Sequence, residues 1–333
     1  MNITVIGAGA WGTALAINLA ERHRVTLFAR DSLQIAAMQK TRCNAHYLPE
    51  VLFPDSLALT ADFSVSLLGA ELIILAVPSA ALRPTLQRLV DTGTHLSGVI
   101  WLCKGFEAQS SLLPHQVAAE VLPQHVPCGV LSGPSFALEV ARGLPTALVL
   151  AAGEDAFAQD IAQSLHHSRL RVYASSDVVG VEVGGAVKNV MAIASGVCEG
   201  LQLGNNARAA LITRGLAEIA RLGLKLGGHQ ETLSGLSGAG DLILTCTGEL
   251  SRNRRVGLML AKNLSLDAIL GQLGHVAEGV YAAREVYHLA QRVGVDMPIS
   301  TAVYRVLYEN IPAAEMAANL LNRSASLEFS LPD

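Results

Sequence analysis

Two lysines stand in surroundings that make them candidates for catalysis. The first, Lys188, lies in the stretch VEVGGAVKNVMAIASG, which carries almost no other charge. Burying an unpaired ammonium on so apolar a helix is costly, so burial or cationic neighbours would lower the pKa of Lys188 toward a value that suits a general base. Asn189 offers a second polar group beside it. The alternative is a lysine whose side chain extends from a core helix into solvent.

The second candidate, Lys104, directly follows the apolar run Val99 to Cys103 and precedes a glycine. In a doubly wound sheet, the carboxyl ends of the strands open onto the ligand crevice. This position therefore predicts that Lys104 faces a bound cofactor. The alternative is an exposed loop lysine.

A glycine-rich turn near the N-terminus predicts where that cofactor lies. An apolar strand, Ile3 to Ile6, leads into the turn, and the helix-forming run Thr13 to Ala20 follows it. The turn has the pattern G-x-G-x-x-G, formed by Gly7, Gly9 and Gly12. Between a strand and a helix, this pattern indicates a dinucleotide whose pyrophosphate lies at the positive end of the helix. Trp11, inside the turn, is expected to cover the pyrophosphate side of the cofactor.

Arg30 bears on which dinucleotide is bound. NAD-specific units place an acidic residue about twenty positions after the glycines, where it binds the ribose 2′-hydroxyl. Here the second strand, Val25 to Ala29, ends in Arg30, whose guanidinium would pair with a 2′-phosphate. The sequence thus favours NADP(H), and the neighbouring Asp31 keeps NAD open.

A second anion site is predicted near residue 251. Ser251, Arg252 and Asn253 gather a hydroxyl, a guanidinium and an amide at a predicted helix start, with two further arginines behind them. A serine cap, free backbone N–H groups and a bidentate arginine suit a phosphomonoester. Asp241 lies upstream, between a glycine-rich approach and an apolar run. The alternative for this basic run is a solvated surface turn.

The elements that must position these residues divide into two parts. Strand and helix signals alternate up to about Asp177, which predicts a Rossmann-like, doubly wound, mostly parallel sheet of the α/β class. Beyond it only helical patterns occur, so we expect an all-helical C-terminal domain, with residues 1–180 forming the first domain and 181–333 the second. Cys43 to Pro54 is expected to be an irregular loop. Four further strands are predicted, at Leu72–Val77, Val99–Cys103, Val130–Leu131 and Thr146–Ala151.

The composition of the chain argues against some classes of binding partner. Hydrophobic residues make up 51% of the 333 residues and charged residues 16%, which predicts a well-buried globular chain. The net charge of −4 argues against nucleic-acid binding. Despite a mean hydropathy of +0.39, no run approaches eighteen consecutive apolar residues, so we expect no membrane span, and the N-terminus does not resemble a signal peptide. Five scattered cysteines predict reduced thiols in a cytosolic protein, without metal ligation.

Taken in series, the motifs resemble those of bacterial-type NAD(P)-dependent glycerol-3-phosphate dehydrogenases. They run in order from residue 7 to residue 279: GAGAWGTALA, SGPSFA, GGAVKN, NNARAALITRGLAE, GDLILTC, SRNRR and AEG. The resemblance implies reversible hydride transfer between dihydroxyacetone phosphate and sn-glycerol 3-phosphate, which supplies glycerophospholipid synthesis. It also implies a cytoplasmic homodimer that uses NADPH in preference to NADH.

The resemblance also implies roles for individual residues. Lys188 would accept the proton of the substrate C2 hydroxyl, and Lys104 would contact cofactor and substrate and polarise the carbonyl. The substrate would be lined by Lys104, Gly133, Ser135, Lys188, Asp241, Ser251, Arg252 and Asn253. The cofactor would be contacted by Gly7, Gly9, Ala10, Trp11, Gly12, Arg30, Lys104, Ala137, Arg252, Val276 and Glu278. Ala10 replaces a frequent serine and loses a hydroxyl, whereas Ser135 replaces a frequent threonine and keeps one.

Two other functions stay open at the level of sequence. Another two-domain Rossmann reductase, acting on a 3-hydroxy acid or a ketopantoate-like substrate, would share the N-terminal unit and a lysine in a helical domain. A non-catalytic redox sensor would bind dinucleotide only. The cluster at residues 251–255 argues against the first because it calls for a phosphorylated substrate, and the pair of lysines argues against the second.

Overall fold

The computed structural model describes residues 1–273 and 277–322. The strands are β1 (Asn2–Ile6), β2 (Arg24–Phe28), β3 (Cys43–Asn44), β4 (Leu48–Leu52), β5 (Ala58–Thr60), β6 (Leu72–Leu75), β7 (Val99–Trp101), β8 (Cys128–Ser132), β9 (Thr146–Ala152) and β10 (Leu170–Ser175). The helices among and after them are α1 (Ala10–Leu19), α2 (Ser32–Thr41), α3 (Phe63–Ser66), α4 (Leu82–Asp91), α5 (Pro114–Val121), α6 (Ala137–Ala141) and α7 (Asp155–Leu165).

From residue 178 onward the described chain is helical. The helices are α8 (Val178–Gly200), α9 (Gly204–Lys225), α10 (Gln230–Ser234), α11 (Asp241–Thr247), α12 (Arg252–Leu260), α13 (Leu266–Leu273), α14 (Glu278–Val293), α15 (Pro298–Tyr308) and α16 (Ala313–Leu321). A single π-helical turn, Leu236–Gly240, leads into α11. The expected all-helical second part is therefore confirmed.

Eight strands form one sheet in the order β10-β9-β8-β7-β6-β1-β2-β5. Neighbouring strands are parallel except β8 and β9, which are antiparallel. The mostly parallel, doubly wound sheet predicted from the sequence is confirmed. Because β1, β2, β6, β7 and β8 all run in the same direction, their carboxyl ends lie along one edge, where ligands collect in such sheets.

The sheet is buried on both faces, which explains its continuous apolar strands. Along β6, Leu72 and Ile74 pack into the hydrophobic cluster on one face, and Ile73 and Leu75 into the cluster on the other. A third cluster fills the helical part and is built around α8.

Several predicted bounds and one predicted loop differ from the structure. The segment Cys43 to Pro54 is not an irregular loop: it contains the antiparallel pair β3–β4. Strands β5 and β10, at the two edges of the sheet, carried no clear sequence signal because all residues of β5 and most residues of β10 are exposed or half-exposed. Helix α1 begins at Ala10, three residues before the predicted start, because its first turn is formed by the glycine-rich motif itself.

By length and composition, one helix among the described residues could cross a membrane, namely α8. Of its most apolar eighteen-residue window, 89% is buried inside the structure. Helices α9, α11, α12 and α14 all pack against it. The apolar composition of α8 is therefore that of a core helix.

Candidate active site

The glycine-rich turn has the geometry that a pyrophosphate requires. Gly7 adopts a φ of +116°, and a Cβ there would lie 2.4 Å from the carbonyl oxygen of Ala76. A Cβ on Gly12 would lie 2.0 Å from the carbonyl oxygen of Gly7, so α1 packs directly on the turn. A Cβ on Gly9 would meet nothing within 4 Å. The first turn of α1 has no side-chain cap and the space beside Gly9 is open, so the residues present fit a dinucleotide phosphate.

Two amide side chains hold the turn in place, and neither was among the residues predicted from the sequence. Asn44 donates from Nδ2 to the carbonyl oxygen of Ala8 at 3.0 Å and to Oγ1 of Thr13 at 2.8 Å. Gln34 donates to the same carbonyl at 3.2 Å. Asn44 belongs to β3, within the segment predicted to be an irregular loop, so nothing local indicated that it reaches the turn.

The remaining predicted cofactor residues of the first part surround this turn. Trp11 and Ala10 are half-buried and pack with Ala137, which begins α6. Arg30 is exposed after β2 and makes no hydrogen bond or ion pair with the residues that the structure describes. The neighbouring Asp31 caps α2, because its carboxylate accepts from the backbone N–H groups of Leu33 and Gln34.

The two lysines meet on one carboxylate. Lys104 donates from Nζ to Oδ2 of Asp241 at 2.7 Å and to the carbonyl oxygen of Gly133 at 3.1 Å. Lys188 donates to Oδ1 of the same aspartate and, at 2.9 Å, to Oγ1 of Thr245. The side chains of Lys104 and Lys188 are 14% and 7% exposed, so neither is the solvated lysine of the alternative interpretations.

Burial and the neighbouring charges set the protonation of this group. Burial lowers the pKa of Lys188 to about 8; the positive charge of Lys104 adds to this effect and the carboxylate of Asp241 opposes it. Burial also disfavours the charged form of Asp241, but the two lysines outweigh it and lower the pKa of that carboxyl. Near neutral pH the site therefore holds an anion between two amines, one of which can exchange a proton.

Thr245 orients Lys188, and it too was missed by the sequence analysis. Its hydroxyl donates to the carbonyl oxygen of Asp241 at 2.6 Å, so it accepts the bond from Lys188. Thr245 lies four residues after Asp241 on α11, on the same helix face, and this spacing was the available signal.

An amide chain connects the lysine pair to the predicted phosphate site. Asn189 donates to the carbonyl oxygen of Lys104 at 3.3 Å. Asn253 donates from Nδ2 to Oδ1 of Asn189 at 2.9 Å, and its Oδ1 accepts from the backbone of Gly279 at 3.1 Å. The start of α12 is thereby held against α8, beside the lysines.

The residues of the basic run 251–255 differ in their exposure and in their hydrogen-bond partners. Ser251 caps α12 by accepting from the backbone N–H of Arg254 at 3.2 Å. Arg252 is exposed at the first turn of α12. Arg254 is buried, and both ends of its guanidinium donate to Glu199, at 2.7 and 2.6 Å. Of these two arginines, only Arg252 is available to a ligand.

The last predicted residues lie beside the lysine pair. Gly133, with a φ of +134°, follows β8, and the hydroxyl of Ser135 donates to its carbonyl at 3.0 Å. Glu278 begins α14, and its carboxylate lies near the backbone of Ser79. Burial raises the pKa of Glu278, while nearby cations, first among them Arg252, oppose this. Val276 lies outside the described residues.

Fold and site together define a two-part dehydrogenase of the Rossmann type, with a glycine-rich turn on the sheet and a lysine pair at the junction with the helical part. Two family models match the chain: the N-terminal part of NAD-dependent glycerol-3-phosphate dehydrogenase at residues 2–158 and its C-terminal part at residues 177–318. The chain belongs to this family of NAD-dependent glycerol-3-phosphate dehydrogenases.

Individual relatives agree with this assignment. A glycerol-3-phosphate dehydrogenase [NAD(P)+] of Dechloromonas aromatica is 58% identical over 330 residues, which are 99% of this chain and 100% of that protein. The crystal structure of glycerol-3-phosphate dehydrogenase from Coxiella burnetii has a TM-score of 0.93 at 43% identity and covers 97% of this chain and 99% of its own. A ketopantoate reductase from Ralstonia eutropha, at 16% identity, a TM-score of 0.59 and coverage of 95% and 100%, shares the fold alone.

Proposed function

We propose that this chain catalyses the reversible NAD(P)-dependent interconversion of dihydroxyacetone phosphate and sn-glycerol 3-phosphate, and thereby supplies glycerophospholipid synthesis. The observation that carries the proposal is the sharing of Asp241 by Lys104 and Lys188 next to the start of α12. Family membership and the close full-length relatives support the same reaction over that of a ketopantoate-like reductase or a redox sensor.

The hydrogen bonds of Lys188 suit it to accept a proton. A neutral lysine has two N–H donors and one lone pair, and both donors are engaged by Asp241 and Thr245. The lone pair is then left for the C2 hydroxyl of glycerol 3-phosphate, whose proton passes to Nζ. In the reducing direction, the ammonium returns that proton to the oxygen of the carbonyl.

Lys104 is proposed to polarise the substrate carbonyl. Its ammonium has three N–H donors, of which Asp241 and the carbonyl of Gly133 take two. The third donor is available to the oxygen on which negative charge develops during reduction. When bound, the nicotinamide supplies or accepts the hydride at C2.

The substrate phosphate is assigned to the start of α12. We propose that Arg252 binds it from the exposed side, with the amide of Asn253 and the hydroxyl of Ser251 beneath. Gly133 and Ser135 are proposed to line the opposite side of the substrate. An arginine and a helix N-terminus are both suited to a phosphate dianion.

The dinucleotide is assigned to the glycine-rich turn, with Ala10, Trp11, Ala137 and Glu278 around it. We propose a preference for NADPH, because Arg30 has no other partner among the described residues while Asp31 is engaged as a helix cap. A cytoplasmic homodimer with its domains divided at residue 180 belongs to the same proposal. The two matched family segments support that division.

The reaction is tested by following NADPH absorbance with dihydroxyacetone phosphate as the substrate and ketopantoate as the comparison. We expect turnover with the first and none with the second. Oxidation of glycerol 3-phosphate by NADP should proceed in the reverse assay. Absence of turnover with dihydroxyacetone phosphate would contradict the proposal.

Cofactor preference is tested by reversing the charge of Arg30. A charge-assisted bond to phosphate contributes about 1.5–3 kcal/mol, so Arg30→Asp should raise the KM for NADPH roughly 10- to 100-fold and leave the KM for NADH nearly unchanged. Arg171→Asp, on β10 at the other end of the sheet, is the matched control and should change neither. Equal effects of Arg30→Asp on both cofactors would show that Arg30 does not contact the 2′ group.

A further inference from the structure

The buried carboxylate of Glu182 joins the two elements that carry the lysines. Glu182 lies on α8, six residues before Lys188, and its side chain is 1% exposed. Its Oε1 accepts from Nε1 of Trp101 at 2.8 Å and from the backbone N–H of His115 at 3.0 Å. Its Oε2 bonds Nδ1 of His115 at 2.6 Å. All three partners belong to the sheet-containing part of the chain.

These bonds lie a short distance along the chain from each lysine, both on α8 and on the segment that follows β7. Trp101 ends β7, and Lys104 follows it by three residues, or about 10 Å of extended chain. From Glu182 to Lys188, six residues of α8 rise about 9 Å. The two segments are therefore held together at two positions, namely the bonds of Glu182 and the ion pairs of Asp241. The distance between these two positions is similar along both segments.

The helix packs closely against the Lys104 segment between these two positions. A Cβ on Gly185 would lie 3.1 Å from Oγ of Ser132 and 3.5 Å from Cγ of Lys104. At this distance, a small shift of α8 along its axis would change the separation of the two amines.

Burying the carboxylate of Glu182 at this position costs desolvation free energy. Burial raises the pKa of Glu182, and the bonds from His115 and Trp101 oppose that effect. An apolar side chain of similar volume would avoid the cost of desolvation, but it would lack directional bonds. One of its acceptor contacts holds α8 against β7 and the other two hold it against the start of α5, so together they fix α8 in one register against the sheet-containing part.

We propose that Glu182 is a positioning residue, which through Trp101 on β7 and His115 on α5 sets the register of α8 against the sheet-containing part so that Lys104 and Lys188 meet on Asp241. This inference rests on the roles proposed above for the two lysines. Glu182 itself contacts neither Asp241 nor a lysine through any hydrogen bond in the described chain.

The test compares apolar and polar replacements of Glu182 with a matched buried glutamate. Glu182→Met removes all three bonds at similar volume. Because displacement by 1 Å can cost about 100-fold in rate, it should lower kcat roughly 10- to 100-fold, with little change in the KM for NADPH. Glu182→Gln can retain the three bonds if its amide nitrogen donates to Nδ1 of His115 in the other tautomer of that ring. This variant should therefore restore most of kcat. Glu218→Met is the control.

Glu218 is the appropriate control because it also is buried and accepts from the backbone of Ile299 and Ser300, at 2.6 and 3.1 Å, but joins two helices of the helical part. Glu218→Met should lower the Tm without lowering the kcat of the folded enzyme. Folded Glu182→Met with a kcat within twofold of wild type would overturn the proposal. A Glu182→Gln enzyme as slow as Glu182→Met would also overturn it, because charge and not register would then be responsible.

If Glu182→Met does not fold, Trp101→Phe provides the test, because it deletes one donor and keeps an aromatic ring. It should lower kcat and leave the KM for NADPH unchanged, and an unchanged kcat would overturn the proposal. Lys188→Ala separates this inference from the proposed reaction. An active Lys188→Ala enzyme contradicts the assigned base, whereas an inactive one combined with unaffected Glu182 and Trp101 variants contradicts only the positioning role.

Discussion

At the scale of single residues, the environment of Lys188 gives an ordinary side chain an unusual protonation. Burial and the positive charge of Lys104 destabilise the charged form of Lys188, and the carboxylate of Asp241 offsets only part of this effect. Its pKa of about 8 lies close to the pH at which the enzyme would work, so both protonation states are populated. Such a match between pKa and operating pH favours general acid–base catalysis in both directions.

This protonation predicts opposite pH dependences for the two directions. With Lys188 as the proposed base, oxidation of glycerol 3-phosphate requires its neutral form, so kcat/KM should rise as the pH increases through about 8. Reduction needs the ammonium, so its kcat/KM should fall over the same range. Initial rates measured by NADPH absorbance between pH 6 and 9.5 check this prediction, and pH-independent rates in both directions would contradict it.

Removal of the amine gives the second prediction at this scale. Lys188→Ala should lose kcat by more than the ~10²–10⁴-fold expected for acid–base catalysis alone, because Asp241 also loses one of its cationic partners. Lys225→Ala, at the exposed end of α9, serves as the control and should retain full activity. A Lys188→Ala enzyme within about fivefold of wild type would exclude Lys188 as the base.

At the scale of elements, α8 positions the site because its small residues let other helices approach closely. Gly196 on α8 and Gly257 on α12 face each other, and a Cβ on Gly257 would lie 2.0 Å from the carbonyl oxygen of Ile193. A Cβ on Gly196 would lie 2.0 Å from the carbonyl of Arg254. This contact brings the start of α12, with the proposed phosphate ligands, next to Lys188.

Adding a methyl group at this crossing should separate the two helices. Gly257→Ala should lower the Tm by roughly 2–10 °C, because overpacking costs about 1–3 kcal/mol. It should also raise the KM for dihydroxyacetone phosphate. Gly271→Ala on α13, where a Cβ meets nothing within 4 Å, is the control. If both variants have the wild-type Tm, the close approach does not contribute to stability.

At the scale of the whole molecule, α14 connects the two parts of the chain at two points. Glu278 at its start lies near the backbone of Ser79, after β6. About two turns further along α14, Glu285 is buried. It accepts hydrogen bonds from Oγ of Ser111 at 2.7 Å and from the backbone of Gln109 at 3.4 Å. Gln109 and Ser111 have φ values of 71° and 55°, a region that non-glycine residues rarely adopt.

Loss of the second connection should weaken the molecule more than loss of a surface ion pair. Glu285→Ala leaves the partners in the loop at residues 107–112 unpaired, which costs about 1–3 kcal/mol, and should lower the Tm by roughly 2–10 °C. The control is Glu309→Ala, which breaks an exposed pair with Arg305 that contributes about 0–1 kcal/mol. Equal Tm values for the two variants would contradict this role of Glu285.

The sequence alone was sufficient for features that depend on local order. The glycine-rich turn lies between a strand and a helix, and both are adjacent in the chain, so its geometry follows from nearest neighbours. The charge-poor surroundings of Lys188 likewise predicted burial, since an isolated ammonium on an apolar helix must find a partner. The alternation of strands and helices, followed by helices alone, predicted the architecture.

Only the tertiary structure decided which partners these residues have. Asp241 joins Lys104 and Lys188 across 137 and 53 residues of chain, and Asn44 reaches Thr13 across 31. No local pattern specifies such pairs, because they depend on how α8, α11 and the sheet pack together. The sequence by itself determined where a cofactor turn and two candidate lysines lie. Packing decided that one carboxylate holds both amines, because it brings α8, α11 and the sheet together there, and the same burial lowers the pKa of Lys188.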